Sequence, residues 1–145
     1  MAVTSRLYGR SMLSLTNKEI DLDTDAIKVM LTTSTYAPDQ DVHQYKSSVT
    51  NEVTGTGYTA RGATLASKTT TYTGATNVYA FDAADATWPS STITARTAVV
   101  YDDATGVDAT APLIAYFQES ADVSTTAGTF SVVFAAAGIF TVTVS

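Results

Sequence analysis

The chain has 145 residues, 45% of them hydrophobic and 15% charged, with no cysteine and a formal charge of −6. That length suits one core, so 1–145 reads as a single domain. The acidity argues against gripping nucleic acid by phosphate neutralisation, and the missing thiols exclude a disulfide framework, a thiolate metal site and cysteine catalysis. No run approaches the ~18 consecutive apolar residues of a membrane span, and the N-terminus lacks a signal-peptide core, so a soluble protein made in a cytoplasm is expected.

The first twenty residues differ from the rest. Tyr8, Met12 and Leu15 fall at i, i+4 and i+7, with Arg6, Arg10 and Lys18 around them. This spacing predicts a short amphipathic helix or arm over 1–20, although Gly9 weakens it. Its cations and apolar face make Arg6, Tyr8 and Arg10 candidate assembly contacts. The alternative is that Tyr8, Met12 and Leu15 simply cap the core.

From 21 onward a β-domain is expected. After the acidic stretch Asp21-Leu22-Asp23-Thr24-Asp25 the apolar period changes to two, and Ile27, Val29 and Leu31 mark the first core strand. The segment 32–62 has little periodicity and carries turn signals at Pro38-Asp39 and Gly55-Thr56-Gly57, with a helical turn expected in 48–53. It reads as a long irregular loop or arm of the kind that orders against a partner. Its tyrosines, Tyr36, Tyr45 and Tyr58, are candidate assembly contacts, because tyrosine is large, stiff and amphipathic. Buried, hydrogen-bonded tyrosines are the alternative.

Beyond residue 62 the pattern is β. Strands are expected in 63–73, 77–82, 91–101, 112–118, 129–134 and 138–144. Ile93, Ala95, Thr97, Val99 and Tyr101 would share one face. Leu113, Ala115 and Phe117 would share another, as would Phe130, Val132 and Phe134, and Phe140, Val142 and Val144. Trp88, followed by Pro89, reads as a core anchor, and Ala135-Ala136-Ala137-Gly138 as the last tight hairpin. About seven strands at this spacing predict an all-β protein, mainly an antiparallel β-sandwich or jelly-roll-like barrel, with a short N-terminal helix and a long irregular segment. After Lys68 the only basic residue is Arg96, which leaves an acidic C-terminal half.

Few residues point to chemistry. His43 is the single histidine, so no multi-histidine metal site can form, and no Gly-x-Ser-x-Gly elbow presents a serine. Asp21-x-Asp23-x-Asp25 matches the opening of an EF-hand loop, but Ala26 stands where glycine is needed and Thr32 where the bidentate glutamate is needed. Gly55-Thr56-Gly57-Tyr58-Thr59-Ala60 matches G-x-G-x-x-A without the strand and helix that would make it a dinucleotide site. No acid sits in an apolar run that would suit glycoside hydrolysis. No catalytic residue, metal or cofactor is expected.

Several stretches resemble a family. Thr4-Ser5-Arg6-Leu7-Tyr8-Gly9, Asp25-Ala26-Ile27-Lys28-Val29-Met30-Leu31, Thr50-Asn51-Glu52-Val53-Thr54-Gly55-Thr56-Gly57-Tyr58, Ser91-Thr92-Ile93-Thr94-Ala95-Arg96, Ala98-Val99-Val100-Tyr101-Asp102 and Pro112-Leu113-Ile114-Ala115-Tyr116 resemble small structural proteins of tailed bacteriophages. The resemblance runs almost from end to end and is most specific in the Thr-Asn-Glu-Val…Gly-Tyr stretch. It implies a non-enzymatic virion protein, with a capsid decoration or cement protein as the first expectation. Its partners would be the major capsid protein or other virion proteins and further copies of itself, with no nucleic acid and no membrane. A trimer suits the three-fold positions of an icosahedral lattice. A tail, tip or fibre component with a receptor-binding role is the alternative, and a carbohydrate-binding β-sandwich module a further one.

Overall fold

The computed structural model describes residues 1 and 5–145. Residues 2–4 of the expected N-terminal arm lie outside them. The elements in chain order are β1 (Arg6–Leu7), α1 (Ser11–Thr16), β2 (Ile27–Thr32), β3 (Ala63–Thr64), β4 (Thr69–Thr73), β5 (Val78–Asp82), β6 (Ala86–Ser91), β7 (Thr94–Asp102), β8 (Leu113–Ser124), β9 (Gly128–Val132) and β10 (Phe140–Thr143). Every strand pairing is antiparallel. The expected all-β class with one short N-terminal helix is what the chain adopts.

A five-stranded sheet, ordered β1-β8-β7-β2-β3, forms the centre, and it is accompanied by a three-stranded sheet, β10-β5-β4, and a two-stranded one, β6-β9. The main core joins all three. Ile27, Val29 and Leu31 of β2, Val100 of β7 and Phe117 of β8 pack with Phe81 of β5, Trp88 of β6, Phe130 of β9 and Phe140 of β10. Alternation in β2 therefore reads as expected, and Trp88 is the anchor it promised. Phe117 meets Phe134 at a centroid separation of 5.5 Å, and Trp88 meets Phe130 edge-on at 6.2 Å, geometries that aromatic quadrupoles favour.

The central sheet is covered on its other face as well. Met30, Val99, Tyr101, Leu113 and Tyr116 form a second cluster, closed by Tyr8 from the chain between β1 and α1 and by Tyr36 and Val49 from the irregular segment. This explains why β2 and β7 are buried almost continuously along their length. A strand apolar on both faces needs a lid on each. The segment 32–62 supplies one, so it is a packed cover of the sheet. It is held by isolated bridges Thr32 to Glu52, Tyr45 to Pro112 and Thr56 to Thr92. Its helical turn is a 3-10 turn at Lys46–Ser48, two residues earlier than expected.

Four expectations are corrected. Ile93, Ala95, Thr97, Val99 and Tyr101 do not share a face, because pairing with β8 slips between Ala95 and Thr97 and again between Val100 and Tyr101. Ile93 and Ala95 join Ala98 and Val100 in the main core, while Val99 and Tyr101 face the second cluster. The same slip inserts Ile114 as an extra residue, so Leu113 faces away from Ala115 and Phe117. The Ala135–Gly138 run is not a hairpin between paired strands. β9 pairs with β6 and β10 with β5, so this run carries the chain from one sheet to another. Finally, the expected strand 63–73 is two strands in different sheets, broken where Ser67 takes a positive φ of 53°.

Candidate functional site

The six candidate contacts separate into core and surface residues. Tyr8 and Tyr36 are buried, at 0% and 2% exposure. Their hydroxyls bond each other at 2.9 Å, Tyr36 Oη reaches His43 Nδ1 at 3.0 Å, and Tyr8 leans on Tyr116 with centroids 4.9 Å apart. Burial is the main reason that both phenols are pushed above their ordinary pKa. Tyr58 is also a structural tyrosine: its hydroxyl donates to Glu52 at 2.8 Å and accepts from the Leu31 amide at 3.0 Å. Tyr8 and Tyr36 thus face inward as buried, hydrogen-bonded tyrosines, and Tyr58 is half-buried with its hydroxyl bonded on both sides.

Tyr45 is half-buried and donates to the Glu19 carboxylate at 3.2 Å. Arg6 and Arg10 are exposed, Arg6 on edge strand β1 and Arg10 at the start of α1, where its Nε donates to the Asp41 carbonyl at 3.1 Å.

The amphipathic face of α1 is not the expected one. The helix begins after Tyr8, and its buried residues are Ser11 and Ser14. Small serines allow a helix to approach a sheet closely, and Tyr8 is instead fixed by its amide, which donates to the Ile114 carbonyl at 3.0 Å. In consequence Met12 and Leu13 point outward, at 39% and 53% exposure. Val42, at 62%, lies in the loop that receives the Gly9 amide and the Arg10 guanidinium. Met12 and Leu13 on α1 and Val42 in the loop bonded to Arg10 are thus exposed apolar side chains.

Removing the Tyr8 hydroxyl tests the core assignment. Tyr8→Phe is expected to cost about 1 kcal/mol, a typical net hydrogen bond, measured by urea unfolding. An unchanged midpoint would return Tyr8 to the candidate contacts.

One charge cluster lies beside the second core and another at the end of the central sheet where Ile27 pairs with Asp102. In the first, Asp103 binds Lys28 at 2.8 Å and forks onto Arg61, Arg61 reaches Asp108 at 2.5 Å, and Lys46 binds Asp108 at 2.9 Å. Burial pushes the Asp103 carboxyl up, but the bonds from Arg61 and Lys28 outweigh it and hold it below the ordinary range. Lys46 and then Arg61 do the same for Asp108. These pairs tie the irregular segment to β2 and to the chain after β7. In the second cluster Asp102, 1% exposed, faces Asp25, and burial together with that neighbour pushes its carboxyl up to about 7. The Asp21-x-Asp23-x-Asp25 stretch is a turn, with Asp21 Oδ1 accepting the amides of Asp23 at 3.0 Å and Thr24 at 3.1 Å. Among the described residues no group of three or more His, Cys, Asp or Glu is placed to hold a metal.

An open groove of about 1160 Å³ lies between β1, the adjoining part of β8, and β10. Leu7, Tyr116, Phe134 and Phe140 line it, with Arg6 the only charged residue among the described lining residues. His43 is elsewhere, beside Tyr36. No helix of the described residues is long and apolar enough to cross a membrane. No protein-family model, curated protein or solved structure matches this chain.

Proposed function

We propose that this chain is a non-enzymatic structural protein of a tailed-phage virion, one that decorates the capsid by binding the lattice of the major capsid protein. The resemblance of its sequence stretches supports the virion assignment. The structural observation that carries attachment is the outward-facing Met12, Leu13 and Val42 beside Arg10. Large apolar side chains held at the surface next to a cation suit a partner that covers them. Binding only the assembled shell stabilises that shell by mass action, and many weak sites on one lattice act together.

The test assembles shells with and without the protein and compares their resistance to heat. Greater resistance with it, at a copy number near that of the shell subunit, is the expected result. Leu13→Glu combined with Val42→Glu is expected to reduce shell occupancy at least about tenfold, while the melting temperature of the free protein stays within a few degrees. Equal resistance at a low copy number would transfer the protein to the tail.

A further inference from the structure

Sheet edges are where an antiparallel protein is open to unwanted pairing, and most edges of this one are guarded. β1 and β3 are two residues long. β6 contains Pro89 and a register shift. β9 receives Met1, whose amino group donates to the Ser131 carbonyl at 2.7 Å and whose carbonyl accepts from the Val133 amide at 2.8 Å. β10 is four residues long and borders the groove through Phe140 and Thr141. β4 has none of these devices. Its five residues, Thr69-Thr70-Thr71-Tyr72-Thr73, are all exposed, pair on one side only and keep register with β5 throughout.

Charge selects the occupant. Two copies of a chain with a net charge of −6 repel, so they meet best where charge is absent. Across β4, β5 and β10 the only charged residue is Asp82, on β5 opposite Thr69 at one end of β4. A strand set antiparallel to itself is automatically two-fold symmetric. Centred on Thr71, that pairing puts Thr70 opposite Tyr72 of the second copy and Thr69 opposite Thr73, and aromatic with β-branched neighbours are favourable cross-strand pairs. Tyr72, 57% exposed with its hydroxyl steered to Asn77 Oδ1 at 3.0 Å, gains cover in that arrangement.

We infer that the free edge of β4 is a self-assembly edge, pairing antiparallel with β4 of a second copy to join two three-stranded sheets into one six-stranded sheet. This deepens the reading of the chain as an assembling protein. Its test uses the isolated protein without shells, so failure here leaves the shell experiment standing. By sedimentation at about 100 µM the protein is expected to be dimeric, and Thr71→Lys, which sets two like charges across the two-fold axis, to weaken the dimer at least about tenfold without altering its circular dichroism. Because the native chain has no cysteine, Thr71→Cys supplies a single thiol, expected to cross-link into dimers under mild oxidation far faster than Thr126→Cys on an exposed turn. A monomer at that concentration overturns the inference, as does cross-linking at position 71 no faster than at 126.

Discussion

Gly62→Ala is expected to destabilise the protein by more than about 3 kcal/mol, the largest single effect expected for it. Gly62 takes a φ of +74° where the irregular segment turns into β3, and its α-carbon lies against the backbone of β2. A β-carbon there would stand far inside van der Waals contact with the Val29 carbonyl oxygen and 2.7 Å from the Met30 α-carbon. A flexible side chain could move aside, but these are backbone atoms of a strand held between β3 and β7. The left-handed conformation adds its own penalty of about 1 kcal/mol for any residue with a β-carbon. The result expected is a fall in melting temperature of about 10 °C or more. Gly74→Ala is the control, because a β-carbon at Gly74 would meet nothing within 4 Å and its φ is not in the left-handed range. Equal losses in the two variants would mean that β2 can yield.

Asp102→Asn is expected to do the opposite and stabilise the protein by about 2 kcal/mol at neutral pH. Asp102 stands in register with Ile27 and is nearly sealed from solvent. Its Oδ1 accepts the Ala104 amide at 2.9 Å, but Oδ2 has no donor, and the side chain it faces, Asp25, is another acceptor. The Asp25 Oδ2 is already engaged by the Asp21 amide at 3.0 Å, and the nearby Lys68 ammonium is taken up by the Asp25 carbonyl. Folding therefore favours the protonated Asp102, which has a proton to donate.

An ordinary carboxyl loses its proton near 3.8 and this one near 7, so between those values the folded state holds a proton that the unfolded state has released. Stability from this group is fully present below that window, falls as pH rises through it and levels off above. Asparagine keeps the acceptor for Ala104 and offers Asp25 an N–H at every pH. Its advantage over the native protein should accordingly widen from pH 4 to pH 7, whereas Asp103 and Asp108, held below the ordinary range, act in the other direction and only on the acid side. Urea unfolding of both proteins across that range is the measurement. A constant difference, or a loss on substitution, would show that Asp102 is not protonated in the fold.

The all-β class, the place of most strands and the core role of Trp88 were legible in the residues. Two-residue alternation bounded by turn formers reports a local backbone preference together with a buried face, and in β2 no register slip moves Ile27, Val29 and Leu31 off that face. Composition alone also limits the metal and nucleophile options of a chain with one histidine and no cysteine.

Partner choice lay beyond that reach. Whether 135–138 joins two paired strands or carries the chain between sheets depends on which distant strand each one meets, and the local sequence is the same in both cases. The slips in β7 and β8 exchange the faces of Val99 and Ala98 with no mark in the local pattern, because Ala98, Val99 and Val100 are all apolar and suit either face. Tyr8 and Tyr36 suit an interface or a core equally well as side chains. The second face of the central sheet decided between them, since an apolar surface built from Met30, Val99 and Leu113 has to be covered, and the N-terminal and irregular segments are what cover it.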